Sequence, residues 1–202
     1  MFVQIIRGHT AQPEALRRHL EKWEEELEPG APGWLGVTEG VTDDGEFIAL
    51  ARFESEEAAR QNSGRPEQDE WYREMVSLLD GDPTFVDSTD VELMLGGGSD
   101  DAHFVQVMEV KPTDPQVYRD LTKQGEDVIP EMRPELLGAI QVWHPGGDRC
   151  TEFIYFTSED EARRGEGQEM TSDVQEMMEQ WHAAEGEVVY LDLREPLVHS
   201  AR

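Results

Sequence analysis

The chain has 202 residues, enough for one large or two small hydrophobic cores. Its 45 acidic and 17 basic residues leave a net charge near −28, which repels phosphate backbones and anionic lipid, so neither nucleic acid nor a membrane surface is an expected partner. Apolar residues make up 37% and recur at helix and strand spacing, no apolar run reaches the length of a membrane span, and "MFVQIIRGHT" lacks an export pattern; a globular, cytoplasmic protein is expected. Cys150 stands alone, which excludes an internal disulfide and a cysteine-built zinc site and makes it a small core residue.

The alternating run Phe2 to Gly8 predicts a first strand. Pro13 suits a first helical turn, and Leu16, Leu20, Trp23 and Leu27 form one apolar stripe, so an amphipathic helix follows, with His19 assigned to its outer side. "GWLGVTEGV" and "EFIALARF" flank "TDDG", whose Asp-Gly favours a tight hairpin turn. Ser55 followed by acids caps a further helix, which resumes after Pro66 with Trp71, Met75, Leu78 and Leu79 buried, and "TFVDSTDVELML" reads as one closing strand. The second half repeats this order. Val117, Leu121 and Val128 are its first helix stripe, Met170, Val174, Met177 and Trp181 its second, and "VVYLDL" its closing strand.

The halves align at a nearly fixed offset: Phe2-Val3-Gln4 falls on Phe104-Val105-Gln106, Leu35-Gly36 on Leu137-Gly138, and, after one residue of slippage, Phe53, Ser55 and Arg60 on Phe156, Ser158 and Arg163. The expected organisation is a first unit over 1–95, a glycine-rich linker over 96–101, a second unit over 102–196 and a tail over 197–202. Strand, helix, two strands, helix, strand is the split βαβ pattern. The expected class is therefore α+β, with two ferredoxin-like βαββαβ units whose antiparallel sheets pair within one chain. Such a pseudo-dimer could be a monomer or a homodimer.

At "PGWLGVTEG", "ARFESEEAAR" and "SGRPEQDEWYREM" the chain resembles the dimeric α+β barrel superfamily, nearest to the antibiotic-biosynthesis monooxygenase type. The resemblance covers both halves through motifs that mark strand starts, the hairpin and the start of the helix. It implies a barrel of two such units and a small-molecule pocket. The chemistries it implies are cofactor-independent oxygenation, haem degradation or quinol oxidation, alongside members with no assigned activity. Haem degradation would require a Trp and a His where this chain has Asn62 and Tyr72, so no haem and no other cofactor is expected. Cofactor-independent oxygenation of an aromatic or quinone-like molecule needs only a dry pocket, a proton acceptor and hydrogen bonds. The alternative is a non-catalytic small-molecule-binding or stress-associated barrel.

Asn62, Trp71 and Tyr72 are the candidate ligand-binding residues, and Tyr72, Asn62 and His9 the catalytic candidates. Each has a plainer reading: Trp71 and Tyr72 as core packing, Asn62 as a backbone cap at the helix break, and His9 as a solvated strand end. No histidine has a ligand-like partner at metal spacing, and no metal site is expected. Trp143 and His144 should face opposite ways on a strand. Because "RGEGQEMTSDVQEM" offers glycines and acids where the first half has Asn62, Trp71 and Tyr72, the ligand pocket is expected mainly in the first half.

Overall fold

The computed structural model describes residues 1–126, 128–168 and 172–201. The fold is α+β, built as two ferredoxin-like units, and each closes on its own five-stranded antiparallel sheet. The first compact unit is Met1–Thr89 with Glu195–Arg202, and the second is Asp90–Arg194.

In the first unit, β1 (Phe2–His9), α1 (Pro13–Glu26), β2 (Trp34–Val41), β3 (Glu46–Phe53), α2 (Glu56–Ser63), α3 (Pro66–Ser77) and β4 (Thr84–Ser88) follow the expected order. Pro13 opens α1, where its missing N–H is no loss, and the stripe Leu16, Leu20, Trp23 and Leu27 is buried as read. His19 is buried as well, a correction: it lies one turn from Leu16 and Trp23 and shares their face. The Ser55 hydroxyl caps α2 by accepting from the Ala58 N–H at 3.2 Å. The hairpin turn closes through Gly45, whose φ of +92° a side chain would resist.

In the second unit, β5 (Val91–Met94) precedes β6 (Phe104–Lys111), α4 (Pro115–Gly125), α5 (Ile129–Met132), β7 (Leu136–Trp143), β8 (Cys150–Phe156), α6 (Glu159–Glu166), α7 (Ser172–Glu185) and β9 (Glu187–Leu193). The buried stripe of α4 is Tyr118, Leu121, Thr122 and Gly125, not the expected Val117, Leu121 and Val128. Val117 is 47% exposed, and Val128 lies beyond the helix, because helical spacing through Tyr118 wins the inner face. Met170, expected in the stripe of α7, lies outside the described residues, as does the Val174 side chain.

The segment read as one closing strand, Thr84 to Leu95, is two strands in different sheets. β4 pairs with β1, and β5 pairs with β7. The expected tail likewise supplies β10 (Leu197–Ser200), antiparallel to β2 in the first sheet. Sheet orders are β10-β2-β3-β1-β4 and β5-β7-β8-β6-β9, so each four-stranded core gains an edge strand from beyond its own repeat. The repeated Leu-Gly step is where this happens. Register shifts occur between Trp34 and Gly36 and between Leu136 and Gly138. A Cβ on Gly36 would sit 2.6 Å from the His199 carbonyl, and one on Gly138 would collide with the Gly97 carbonyl. These bulges admit the backbone of the incoming segment. Gly97, in the stretch expected as a linker, is accordingly buried in a turn whose N–H donates to the Met94 carbonyl at 2.9 Å.

Candidate functional site

In the first unit the helix-facing side of the sheet presents Gln4, Ile6, Val37, Glu39, Phe47, Ala49, Ala51 and Phe53, the alternate residues of β1, β2 and β3. Between this face and the helices lies a cavity of about 520 Å³, within the range of small-molecule sites. The small side chains Ala49 and Ala51 leave the space, and Trp23, Trp34, Trp71, Tyr72, Phe53 and Phe85 form an aromatic wall around it.

All three expected ligand-binding residues line this cavity. The Asn62 amide is committed to the join between α2 and α3: its Oδ1 accepts from Arg65 Nη1 at 2.9 Å and its Nδ2 lies 3.4 Å from Gln68 Oε1. Gln68 Oε1 also accepts from Trp23 Nε1 at 2.8 Å, which fixes that ring. Trp71 stacks on His19 at 4.8 Å and donates to its carbonyl at 3.3 Å. Tyr72 is half-buried against Phe85, with ring centroids 6.3 Å apart, and its hydroxyl has no hydrogen-bond partner among the described residues. Burial, then the charge of Asp82, raises its pKa, so the phenol stays protonated. His9 is elsewhere. At the exposed end of β1 its Nδ1 lies 2.8 Å from Asp80 Oδ2 and its Nε2 3.0 Å from the Asp44 carbonyl, and it does not line the cavity.

The acid at the centre of the wall, Glu39, was missed by the sequence reading. It is 8% exposed, and its carboxyl has no hydrogen-bond partner among the described residues. Burial, with a smaller push from Glu24 across the cavity, raises its pKa to about 8. Its signal was available: in "VTEGV" the acid alternates with Val37 and Val41 on the apolar parity of β2. His199 backs the opposite wall, stacked on Trp34 at 5.5 Å and held 3.0 Å from Glu28 Oε2.

The second unit has its own cavity of about 560 Å³, which corrects the expectation of a pocket confined mainly to the first half. Its apolar wall comes from Ile129 and Met132 on α5 and from Met177, Met178 and Trp181 on α7, while the glycine-rich segment adds Gly165, Glu166 and Gln168. Tyr190 on β9 adds a ring. Trp143 is fully buried, and its neighbour His144, half-buried, points the other way to Thr151 Oγ1 at 2.8 Å. Both cavities share one polar pair at the same sheet position: Gln4 Nε2 donates to Asp87 Oδ1 at 2.8 Å, and Gln106 Nε2 to Asp192 Oδ1 at 3.1 Å.

No family model matches the chain, and no curated protein matches its sequence. Solved structures do match in fold. A proposed monooxygenase from Lactobacillus acidophilus NCFM is 13% identical with a TM-score of 0.75, covering 98% of each chain. The chain shares its α+β fold, over nearly its whole length, with this structure and with two others. A proposed monooxygenase from Fusobacterium nucleatum subsp. nucleatum is 8% identical with a TM-score of 0.77, covering 98% of this chain and 94% of its own. An anthrone oxidase-like protein is 12% identical with a TM-score of 0.66, covering 98% and 92%. At these identities the likeness concerns the fold, and the chemistry has to be argued from the cavities. Among the described residues no cluster of metal-binding side chains occurs, and no helix is long and apolar enough to cross a membrane.

Proposed function

We propose that the chain is a cofactor-independent monooxygenase acting on an aromatic, phenol- or quinone-like small molecule in the first cavity, with Glu39 as proton acceptor. The observation that carries the reading is Glu39 itself: a buried carboxyl group with no hydrogen-bond partner among the described residues, in an aromatic-walled cavity, its pKa raised to about 8. A carboxylate of ordinary acidity is too weak a base to take a proton from an activated CH₂ or a phenol near neutral pH, whereas one near 8 is matched to the task. The anthrone oxidase-like relative by fold supports a substrate of this kind.

The step balances without a cofactor. Glu39 removes a proton from R₂CH₂, and the resulting enolate passes an electron to O₂. Recombination and return of the proton give the hydroperoxide R₂CH–OOH, which loses water to leave R₂C=O. Carbon is oxidised, one oxygen atom enters the ketone and the other leaves as water. The Tyr72 hydroxyl, kept protonated by burial, is the donor available to the enolate oxygen, and the aromatic wall holds the planar substrate and excludes water. Oxygen consumption across a panel of anthrones, naphthols and quinols tests the reading. At least one should be turned over, and Glu39→Gln should lower its kcat by about 10²- to 10⁴-fold with little change in binding. Full activity in Glu39→Gln would remove the proposed base.

A further inference from the structure

Five of the eight methionines, Met94, Met108, Met132, Met177 and Met178, line the second cavity, against Met75 alone in the first. Unbranched thioether side chains mould to bulky apolar ligands of varied outline. Charged and polar residues, Gln106, Arg133, Arg163, His182, Glu185 and Asp192 among them, also line this cavity, and one acid of the lining is almost wholly buried. Glu152, 1% exposed, stands on the cavity face of β8. Its Oε1 accepts from Tyr118 Oη at 2.8 Å and from Gln141 Nε2 at 2.7 Å, with Cys150 Sγ at 3.8 Å. Trp143 Nε1 donates to Gln141 Oε1 at 2.8 Å, which fixes the amide with its N–H toward Glu152. Every donor therefore falls on one carboxyl oxygen, and Oε2 has no hydrogen-bond partner among the described residues.

An oxygen already accepting from several donors is a poor place for a proton, so the protonated acid carries its hydrogen on Oε2. Burial raises the Glu152 pKa and favours that form, outweighing the opposed hydrogen bonds from Gln141 and Tyr118, and the nearby Glu185 adds a smaller push in the same direction. Trp181 lines the same cavity with its ring edge-on to Tyr118 at 6.3 Å, so its indole packs against the hydroxyl-bearing ring that holds Glu152. We propose that the second cavity is a binding site for a bulky apolar ligand bearing a carbonyl oxygen, a ketone or quinone, which accepts a hydrogen bond from Glu152 Oε2. This site stands independently of any turnover in the first cavity.

The methionines supply the test. In the full-length chain labelled with [methyl-¹³C]methionine, Met75 reports the first cavity and the five lining methionines the second. The probe 1-tetralone should shift the five resonances saturably, and tetralin, its hydrocarbon counterpart without the carbonyl, should bind about tenfold or more weakly. Glu152→Gln, which keeps an acceptor for Tyr118 and an N–H for the ligand, should retain binding. Glu152→Leu should abolish the tetralone response of the five methionines while Met75 responds as before. Equal affinity for tetralone and tetralin in the unaltered protein, a response at Met75 alone, or undiminished binding in Glu152→Leu would each overturn the proposal.

Discussion

The two cavities each place one buried acid on the same rung of the sheet, but on different strands. Glu39 on β2 lies opposite Ala49 on β3, and Gln141 on β7 lies opposite Glu152 on β8, so the acid has moved one strand across the same rung of the ladder. In the first unit the rung holds a carboxyl and a methyl group, and the carboxyl has no hydrogen-bond partner among the described residues. In the second the rung holds a carboxyl and an amide, and Tyr118, at the position of Leu16 in the first unit, completes a buried network. A free carboxyl with a raised pKa is suited to accept and return protons. One pinned through a single oxygen is suited to hold a fixed orientation. The proposed difference between a reactive and a receptive cavity thus rests on a few residues, while the fold around them is common.

The largest expected effect breaks the first cavity's side of this contrast. Burial raises the Glu39 pKa from the 4.5 of a free carboxyl to about 8. A carboxyl whose folded pKa exceeds its unfolded one is held protonated by the fold. It therefore costs nothing near pH 4, and it destabilises progressively as pH rises from about 4.5 to about 8. Glu39→Gln removes that cost. The variant should gain several kcal/mol, on the order of 4, at pH 8.5 and nothing at pH 4. Chemical denaturation at the two pH values measures it, and equal effects at both would mean that the acid is not desolvated as described. Turnover by the unaltered protein should rise with pH through the same value.

A smaller loss is expected from Tyr118→Phe in the second unit. Removing the hydroxyl takes one donor from a buried carboxyl and should cost about 1–3 kcal/mol. That bond favours the ionised form of Glu152, so its loss should raise the Glu152 pKa further. Thermal unfolding together with carboxyl ¹³C titration reads both consequences. No change in either would mean that the network does not hold Glu152 in solution. In the first cavity the corresponding test is Tyr72→Phe. With no protein partner to lose, this change should leave stability within about 0.5 kcal/mol while slowing turnover at least tenfold, and a matching loss of stability would make Tyr72 a packing residue.

These contrasts were only partly legible beforehand. Alternation and helical stripes marked nearly every element because burial on one face leaves a local period, and Leu16, Leu20 and Trp23 on α1 are plain examples. The two edge strands were not legible as such. Val91–Met94 and Leu197–Ser200 have ordinary strand character, but their partners β7 and β2 are distant in sequence, and no local pattern names a partner. The glycines that receive them, Gly36 and Gly138, were noticed as a repeat without the reason for it. Asn62, Trp71 and Tyr72 were found because they stand where the repeat fails. Glu39 and Glu152 were passed over, although each breaks the apolar parity of its strand: "VTEGV" in one case, "CTEFIYF" in the other. Tyr118 was hidden by Val117, whose apolar character suggested the wrong face of α4.

The smallest expected effect concerns the strand ends, where the units differ by a titratable group. His9 at the end of β1 faces Asp80 at 2.8 Å, and Lys111 at the end of β6 faces Glu187 at 3.4 Å. Both are exposed cation–acid pairs, but only the imidazole changes charge near neutrality. The hydrogen bond to Asp80, then that to the Asp44 carbonyl, raises the His9 pKa above 6.5. A base whose folded pKa is raised contributes stability that is fully present below its unfolded value and is lost as pH rises through the folded one. His9→Gln should therefore lower the melting temperature slightly at pH 5.5 and leave it unchanged at pH 9, whereas Lys111→Gln should act alike at both. Because His9 lies outside the first cavity, the same variant should consume oxygen at the unaltered rate on any substrate the protein accepts. A fall in turnover at unchanged stability would return His9 to the chemistry and remove Glu39 as the sole base, while an equal loss of stability at both pH values would show that the His9–Asp80 contact works through packing rather than charge.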